Sequence, residues 1–211
     1  MATRLSRERV VEAAARLADE EGYDALSLAA VARVFGVAVP SLYKHVESLE
    51  ALRAEVALLA VRELADRMRR AAVGRARGEA LRAVAQACRA YVREHPGRYA
   101  ATVRAVGPDD PLAEERRAAL DEALDVIYAV LRGYGIEGED LVDAARALRS
   151  AMHGFALLEA AGGFGLPRDV DRSYEAMVDA FDAMLERWGE QKAGSKGGRR
   201  AAGGSAPRRA R

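Results

Sequence analysis

A single cysteine, no long apolar run and no strand-like alternation remove several classes of protein at once. Cys88 is alone among 211 residues, so no intramolecular disulfide framework exists and a reducing compartment suits the chain. Within a helical stretch of Ala and Arg, that thiol reads as a small buried hydrophobe. No segment approaches the roughly 18 apolar residues of a membrane-spanning helix, and "MATRLSRERVVEAA" lacks an apolar core of signal-peptide length. A soluble, cytoplasmic protein is expected. Strict apolar-polar alternation bounded by turn residues is missing too, which leaves no candidate sheet.

The signs of catalysis are equally scarce. His45, His95 and His153 have no metal-ligand spacing, and no nucleophile motif, phosphate loop or dinucleotide fingerprint occurs. No catalytic residue, metal or cofactor is expected, and a lone histidine such as His153 on an apolar helix reads as a hydrogen-bonded core residue.

Charge is unevenly spread. The formal net charge is +1, yet residues 191–211 carry seven basic side chains and no acid, leaving 26 basic against 32 acidic residues elsewhere. This stretch is rich in glycine and has no large apolar side chain, so it reads as a disordered basic tail. Such a tail serves either as a solubiliser or as a non-specific grip on phosphates.

What remains is helical. Ser6, Ser27 and Ser48 stand where helix caps are needed, and Gly22 and Gly36 stand where the first two helices should stop. Val10, Ala14, Leu17 and Ala18 recur at helical spacing in the first. A second runs from Leu28 to Phe35, and a third begins near Val39, where Pro40 is tolerated because first-turn amides have no intrahelical partner. A long fourth helix follows Ser48. Three short helices with a tight glycine turn between the second and third outline a helix-turn-helix.

The stretch "FGVAVPSLYKHV", Phe35 to Val46, then acquires a purpose. Leu28, Val31, Phe35, Val37 and Leu42 are the inward set, which leaves Val39, Pro40, Ser41, Tyr43, Lys44 and His45 facing outward. Hydroxyl, ammonium and imidazole donors suit phosphate oxygens, and Val39 and Pro40 suit a thymine methyl. From Gly22 to Leu52 the chain resembles the DNA-binding domain of the tetracycline-repressor (TetR) family of bacterial transcription regulators. The likeness covers roughly residues 5–60. It implies an all-α fold of about nine helices, with a DNA-binding domain over 1–50, a helical effector-binding and dimerisation domain over 51–190, and the tail over 191–211.

The resemblance further implies contacts to operator DNA from Arg7, Ser27, Leu28, Arg33, Val39, Pro40, Ser41, Tyr43, Lys44 and His45. Positions matching Tyr43 and His45 typically touch the DNA backbone in this family. Some departures stand out: Ala38 replaces the usual Ser or Thr cap, a loss of about 1 kcal/mol, and Ala29, Ala30 and Leu49 replace basic residues. Residues 1–50 contain six basic and eight acidic side chains, an unusual balance for a DNA reader.

Beyond residue 70 the pattern gives a helix over about 79–94, closed at "HPGRY" by Pro96. Further helices run to about Val106, from Asp110 as cap with Pro111 at its first position, over 138–161 and over 170–189. Tyr174, Met177, Phe181, Met184 and Trp188 step by 3 and 4 on the last of these. Leu141, Leu148 and Leu158 lie on the one before it. Both helices have more apolar surface than one contact needs, so a homodimer built as an intermolecular four-helix bundle is expected through these residues. "HPGRYA" with "SAMHGFALLEAAGGFGLP" resembles a subgroup whose C-terminal domain carries a Trp-His-Gly signature. Met152 replaces the tryptophan, His153 and Gly154 match, and Gly154 is expected to mark a close helix approach.

In that family an effector cavity is usual, and Tyr91, Tyr99, Val103, Ile127, Tyr128, Met152, His153 and Phe155 are its candidate lining. The implied function is a sequence-specific regulator, a repressor released from DNA by a small molecule. Two alternatives stay open: a non-switching architectural DNA-binding dimer, and a small-molecule-binding protein with impaired DNA binding. If the tail supplies part of the missing phosphate grip, deleting residues 191–211 lowers affinity for all DNA sequences and flattens the salt dependence. Titrations of full and truncated protein across a salt series measure this, and an unchanged slope refutes it.

Overall fold

The computed structural model describes residues 5–201, with side chains described through Glu190. Among these residues every regular element is helical. There are eight α-helices and two 3₁₀ segments, Tyr23–Ala25 and Val39–Lys44. Helix α1, Arg7–Glu21, begins where the Ser6 hydroxyl accepts the Arg9 N–H and ends at Gly22, whose φ is 98°. Helix α2, Leu28–Phe35, begins with Ser27 accepting the Ala30 N–H. Gly36 closes it at φ 64°, a left-handed conformation that suits glycine. Helix α3, Leu49–Ala72, starts with Ser48 accepting the Ala51 N–H at 3.0 Å.

The third helix of the sequence reading is a 3₁₀ segment. Ala38 has no side-chain oxygen to satisfy the first amides, and the turns tighten to i→i+3 bonds: Ser41 N–H to Ala38 at 2.9 Å and His45 N–H to Leu42 at 2.8 Å.

The body follows with α4 (Arg77–Glu94), α5 (Pro96–Thr102), α6 (Ala113–Arg132), α7 (Glu139–Ala160) and α8 (Val170–Ala201). Three boundaries differ from the sequence reading, the first being that α5 ends at Thr102 and not near Val106. Helix α6 begins at Ala113 rather than beside Pro111, because the Asp110 carboxylate is used in a preceding turn, accepting the Leu112 N–H at 2.9 Å and pairing with Arg116. Helix α8 does not stop near Gly189. That glycine is buried against the Tyr134 carbonyl, where a Cβ would overlap, so it serves close packing and the helix continues. The expected tail therefore starts inside α8; its side chains, and all of residues 202–211, lie outside the described residues.

Two apolar cores organise the chain. The head core joins Val10 of α1, Val31 of α2, Leu42 of the 3₁₀ segment, and Leu52 and Val56 of α3, all 0% exposed. The body core is built from α3, α4, α6, α7, α8 and the α6–α7 turn around Leu81, Leu131, Ile136, Leu148, Tyr174 and Leu185. The boundary expected at residue 50 falls at the start of α3, whose first turns complete the head. Since Leu42 alone pins the middle of the 3₁₀ segment, Leu42→Ala should lower unfolding free energy by about 2–5 kcal/mol in denaturant titrations.

Candidate DNA-reading face and ligand cavity

The 3₁₀ segment turns Leu42 inward and its neighbours outward. Tyr43 is 55% exposed, Pro40 and Lys44 are exposed, and Val39, Ser41 and His45 are half-buried. Among the described residues, the Tyr43 and Lys44 side chains have no hydrogen bond or ion pair. Ser27 and Leu28 at the start of α2 are half-buried and Arg33 is exposed. Arg7, also expected at the DNA, has its Nε donating to Glu55 at 2.9 Å, tying α1 to α3. With the arginine largely exposed, that pair stabilises by under about 1 kcal/mol.

A cavity of about 330 Å³ opens between α3, α5, α6 and α7, within the range of small-molecule sites. Tyr99, Val103, Ile127, Met152 and His153 line it as anticipated; Cys88, Thr102, Asp121 and Arg149 line it without having been anticipated. The Tyr99 hydroxyl lies 2.9 Å from His153 Nδ1. Burial, and then the charge of Arg149, holds the His153 imidazole below its ordinary pKa. Burial pushes the Cys88 thiol up to about 11, so it is protonated at neutral pH.

Three expected lining residues point elsewhere. Tyr91 is fully buried, donating to the Ala60 carbonyl and to Glu63 on α3. Phe155 packs on Tyr174 and Phe164, with ring centroids 5.0 and 4.7 Å away. Tyr128 lies one residue, hence roughly 100°, round the helix from Ile127, where Arg132 covers its ring at 5.7 Å.

Helix α5 separates this cavity from the head. At its start Gly97 meets the Ala18 carbonyl of α1 so closely that a Cβ would overlap it. Asp19 then gathers three groups: its Oδ1 accepts the Arg98 N–H at 2.8 Å, and its Oδ2 lies 3.0 Å from both His95 Nδ1 and Arg98 Nε. Arg98 also donates to Glu63 of α3 at 3.1 Å. Just beyond α5, Arg104 pairs with Asp24 of the head.

Comparison with known proteins agrees with this layout. Residues 10–56 match the family described as bacterial regulatory proteins, tetR family, and residues 81–181 match the tetracyclin repressor-like C-terminal domain. An HTH-type transcriptional regulator of Mycobacterium tuberculosis, Rv0681, is 42% identical over 185 residues, covering 87% of this chain and 83% of that protein. The chain belongs to the TetR family. Two TetR-like structures share its shape. The TetR family regulator PfmR from Thermus thermophilus is 25% identical, with TM-score 0.62 over 85% of this chain and 96% of that one. A TetR variant from Acinetobacter baumannii AYE, solved in complex with minocycline, is 21% identical, with TM-score 0.64 over 88% and 98%. The chain is thus a TetR-family DNA-binding transcriptional regulator.

The TetR dimer residues named from sequence divide in two. Leu141, Leu148 and Tyr174 are 7%, 2% and 0% exposed in a single chain, filling its own core, so they have almost no surface to offer a partner. Leu158 is exposed, and Met177, Phe181, Met184 and Trp188 are half-buried. The close approach expected at Gly154 is not there: a Cβ would meet nothing within 4 Å in this chain. The closely packed glycine is Gly97, in the "HPGRYA" that the sequence reading used as a helix boundary and a subgroup signature. Its signal was a glycine one residue into a helix, a position that costs up to about 1 kcal/mol unless packing demands it. Gly97→Ala should force α5 off α1 and cost about 1–3 kcal/mol of stability, read by denaturant unfolding.

Proposed function

We propose that this TetR-family regulator works as a homodimeric repressor that leaves its operator when a small molecule fills the cavity. The observation that carries this reading is α5. One helix supplies Tyr99 and Thr102 to the cavity wall and Gly97 and Arg98 to the contact with α1. A ligand that wedges α5 outward pushes on Ala18 and pulls on Asp19, so the head has to tilt. In a two-fold dimer, tilting both heads changes the separation of the two 3₁₀ segments, which must stay about one DNA turn apart to reach successive major grooves. Linkage then requires the effector to bind the DNA-free form more tightly by the factor by which it weakens DNA binding.

The Tyr43 hydroxyl and His45 are the groups assigned to the DNA backbone, with Val39, Pro40 and Lys44 facing the groove. The half-buried Met177, Phe181, Met184 and Trp188, with Leu158, supply the apolar surface for a second copy. That a TetR of the same fold was solved in complex with minocycline supports a small-molecule ligand.

Binding to DNA flanking the protein's own gene, measured at two salt concentrations, addresses the reading directly. A Tyr43→Ala, His45→Ala double variant should melt near the parent temperature yet bind this DNA about 10–100-fold more weakly, the worth of one or two charge-assisted contacts. Binding that ignores both DNA sequence and these substitutions would refute the assignment.

A further inference from the structure

The polar corner of the cavity narrows what the cavity can hold. Most of its lining is aliphatic, contributed by residues such as Leu64, Leu124 and Ile127. Several polar groups are already satisfied inside the chain. Thr102 donates its hydroxyl to the Tyr99 carbonyl at 2.7 Å, and Arg104 is paired with Asp24. Arg149 is different. It is exposed at the cavity, and among the described residues its guanidinium has neither hydrogen bond nor ion pair.

Arg149 lies four residues before His153 on α7, so the two share a helix face. Its positive charge acts on Cys88, Tyr99 and His153. Burial raises the Tyr99 pKa, so the hydroxyl keeps its proton. The Tyr99 hydroxyl lies 2.9 Å from His153 Nδ1, and burial, then the charge of Arg149, disfavours the charged imidazole. The corner therefore presents a cation and an imidazole whose Nε2 is not the nitrogen engaged by Tyr99. Asp121, on α6, brings a carboxylate to the same cavity.

We propose that the cavity takes an amphipathic organic anion, its carboxylate held by the Arg149 guanidinium and, with Tyr99 O–H donating to Nδ1, by His153 Nε2–H, and its apolar body laid along Leu64, Leu124 and Ile127. A guanidinium and a donor on one helix face match a carboxylate's two oxygens. The volume of about 330 Å³ equals that of about eleven waters in the liquid, room for about a dozen non-hydrogen atoms. The inference rests on the ligand-responsive reading of this cavity and names its ligand class.

Calorimetric titration of the full chain with octanoate, 1-octanol and octylammonium tests the class with one apolar body and three end groups. Octanoate should bind about tenfold or more tightly than either of the others, in line with one charge-assisted pair. Arg149→Gln should abolish that preference while leaving 1-octanol binding unchanged. Because Arg149 is exposed and has no hydrogen-bond or ion-pair partner among the described residues, the melting temperature of the variant should stay near that of the parent.

Equal affinities for the three probes, no binding of any of them, or an octanoate preference that survives Arg149→Gln would overturn the inference. Tighter octylammonium binding would overturn it too, placing the anchor at Asp121. DNA titrations with the same probes separate this inference from the switch. Octanoate that binds through Arg149 without weakening DNA binding upholds the ligand class and refutes the switch. Equal release of DNA by 1-octanol and octanoate upholds the switch and refutes the class.

Discussion

Because α3 is buried at its first turns in the head core and further along in the body core, neither core can shift without bending or dragging this one helix. Leu52 and Val56 are fully enclosed by α1, α2 and the 3₁₀ segment, while Val61 and Met68 are enclosed by the body. Packed interiors resist compression, so a displacement at one end of such a rod is felt as strain at the other. The head is thus held at a set angle to the body by burial on both sides of a single helix, and every contact across the junction refines that angle.

The polar contacts at the junction do this refining. Asp19 is largely buried and receives Arg98 and His95 from the α4–α5 corner; removing one partner from a buried pair of this kind costs about 3–5 kcal/mol, because the other charge is left without compensation. Surface pairs such as Arg7 with Glu55 contribute far less. The stiff coupling therefore runs from α1 through Asp19 to α5. It coincides with the position where Gly97 removes a side chain so that two backbones can touch.

Helix α5 is short, from Pro96 to Thr102, and that suits a transmitting part. With Tyr99 and Thr102 on its cavity side and Gly97 and Arg98 against α1, it has no residue to spare for an independent role. Cys88, Tyr99 and His153 form one side of the cavity, where burial raises the thiol and phenol pKa values and lowers that of the imidazole. Burial disfavours the charged form of all three, and Arg149 brings a charge beside them.

Much of this was legible in the chain itself. Ser6, Ser27 and Ser48 fixed three helix starts and Gly22 and Gly36 two stops, because capping and left-handed turns are local chemistry. The outward set Val39 to His45 followed from the single inward Leu42 and the family resemblance. Other features came from contacts between residues far apart in sequence. A stripe of apolar residues looks the same whether it meets its own core or a second chain, which is why Leu141, Leu148 and Tyr174 were read as interface until folding enclosed them. Nor can helical periodicity tell that Tyr91 turns to Glu63 and away from the cavity, that Arg149 is left without a partner beside His153, or that Gly97 lies against Ala18. Local sequence sufficed for most of the helices, their caps and the DNA-reading segment, since these depend on neighbours a few residues away. The cavity lining and the α5 junction were settled by folding, since both are made where several helices distant in sequence converge.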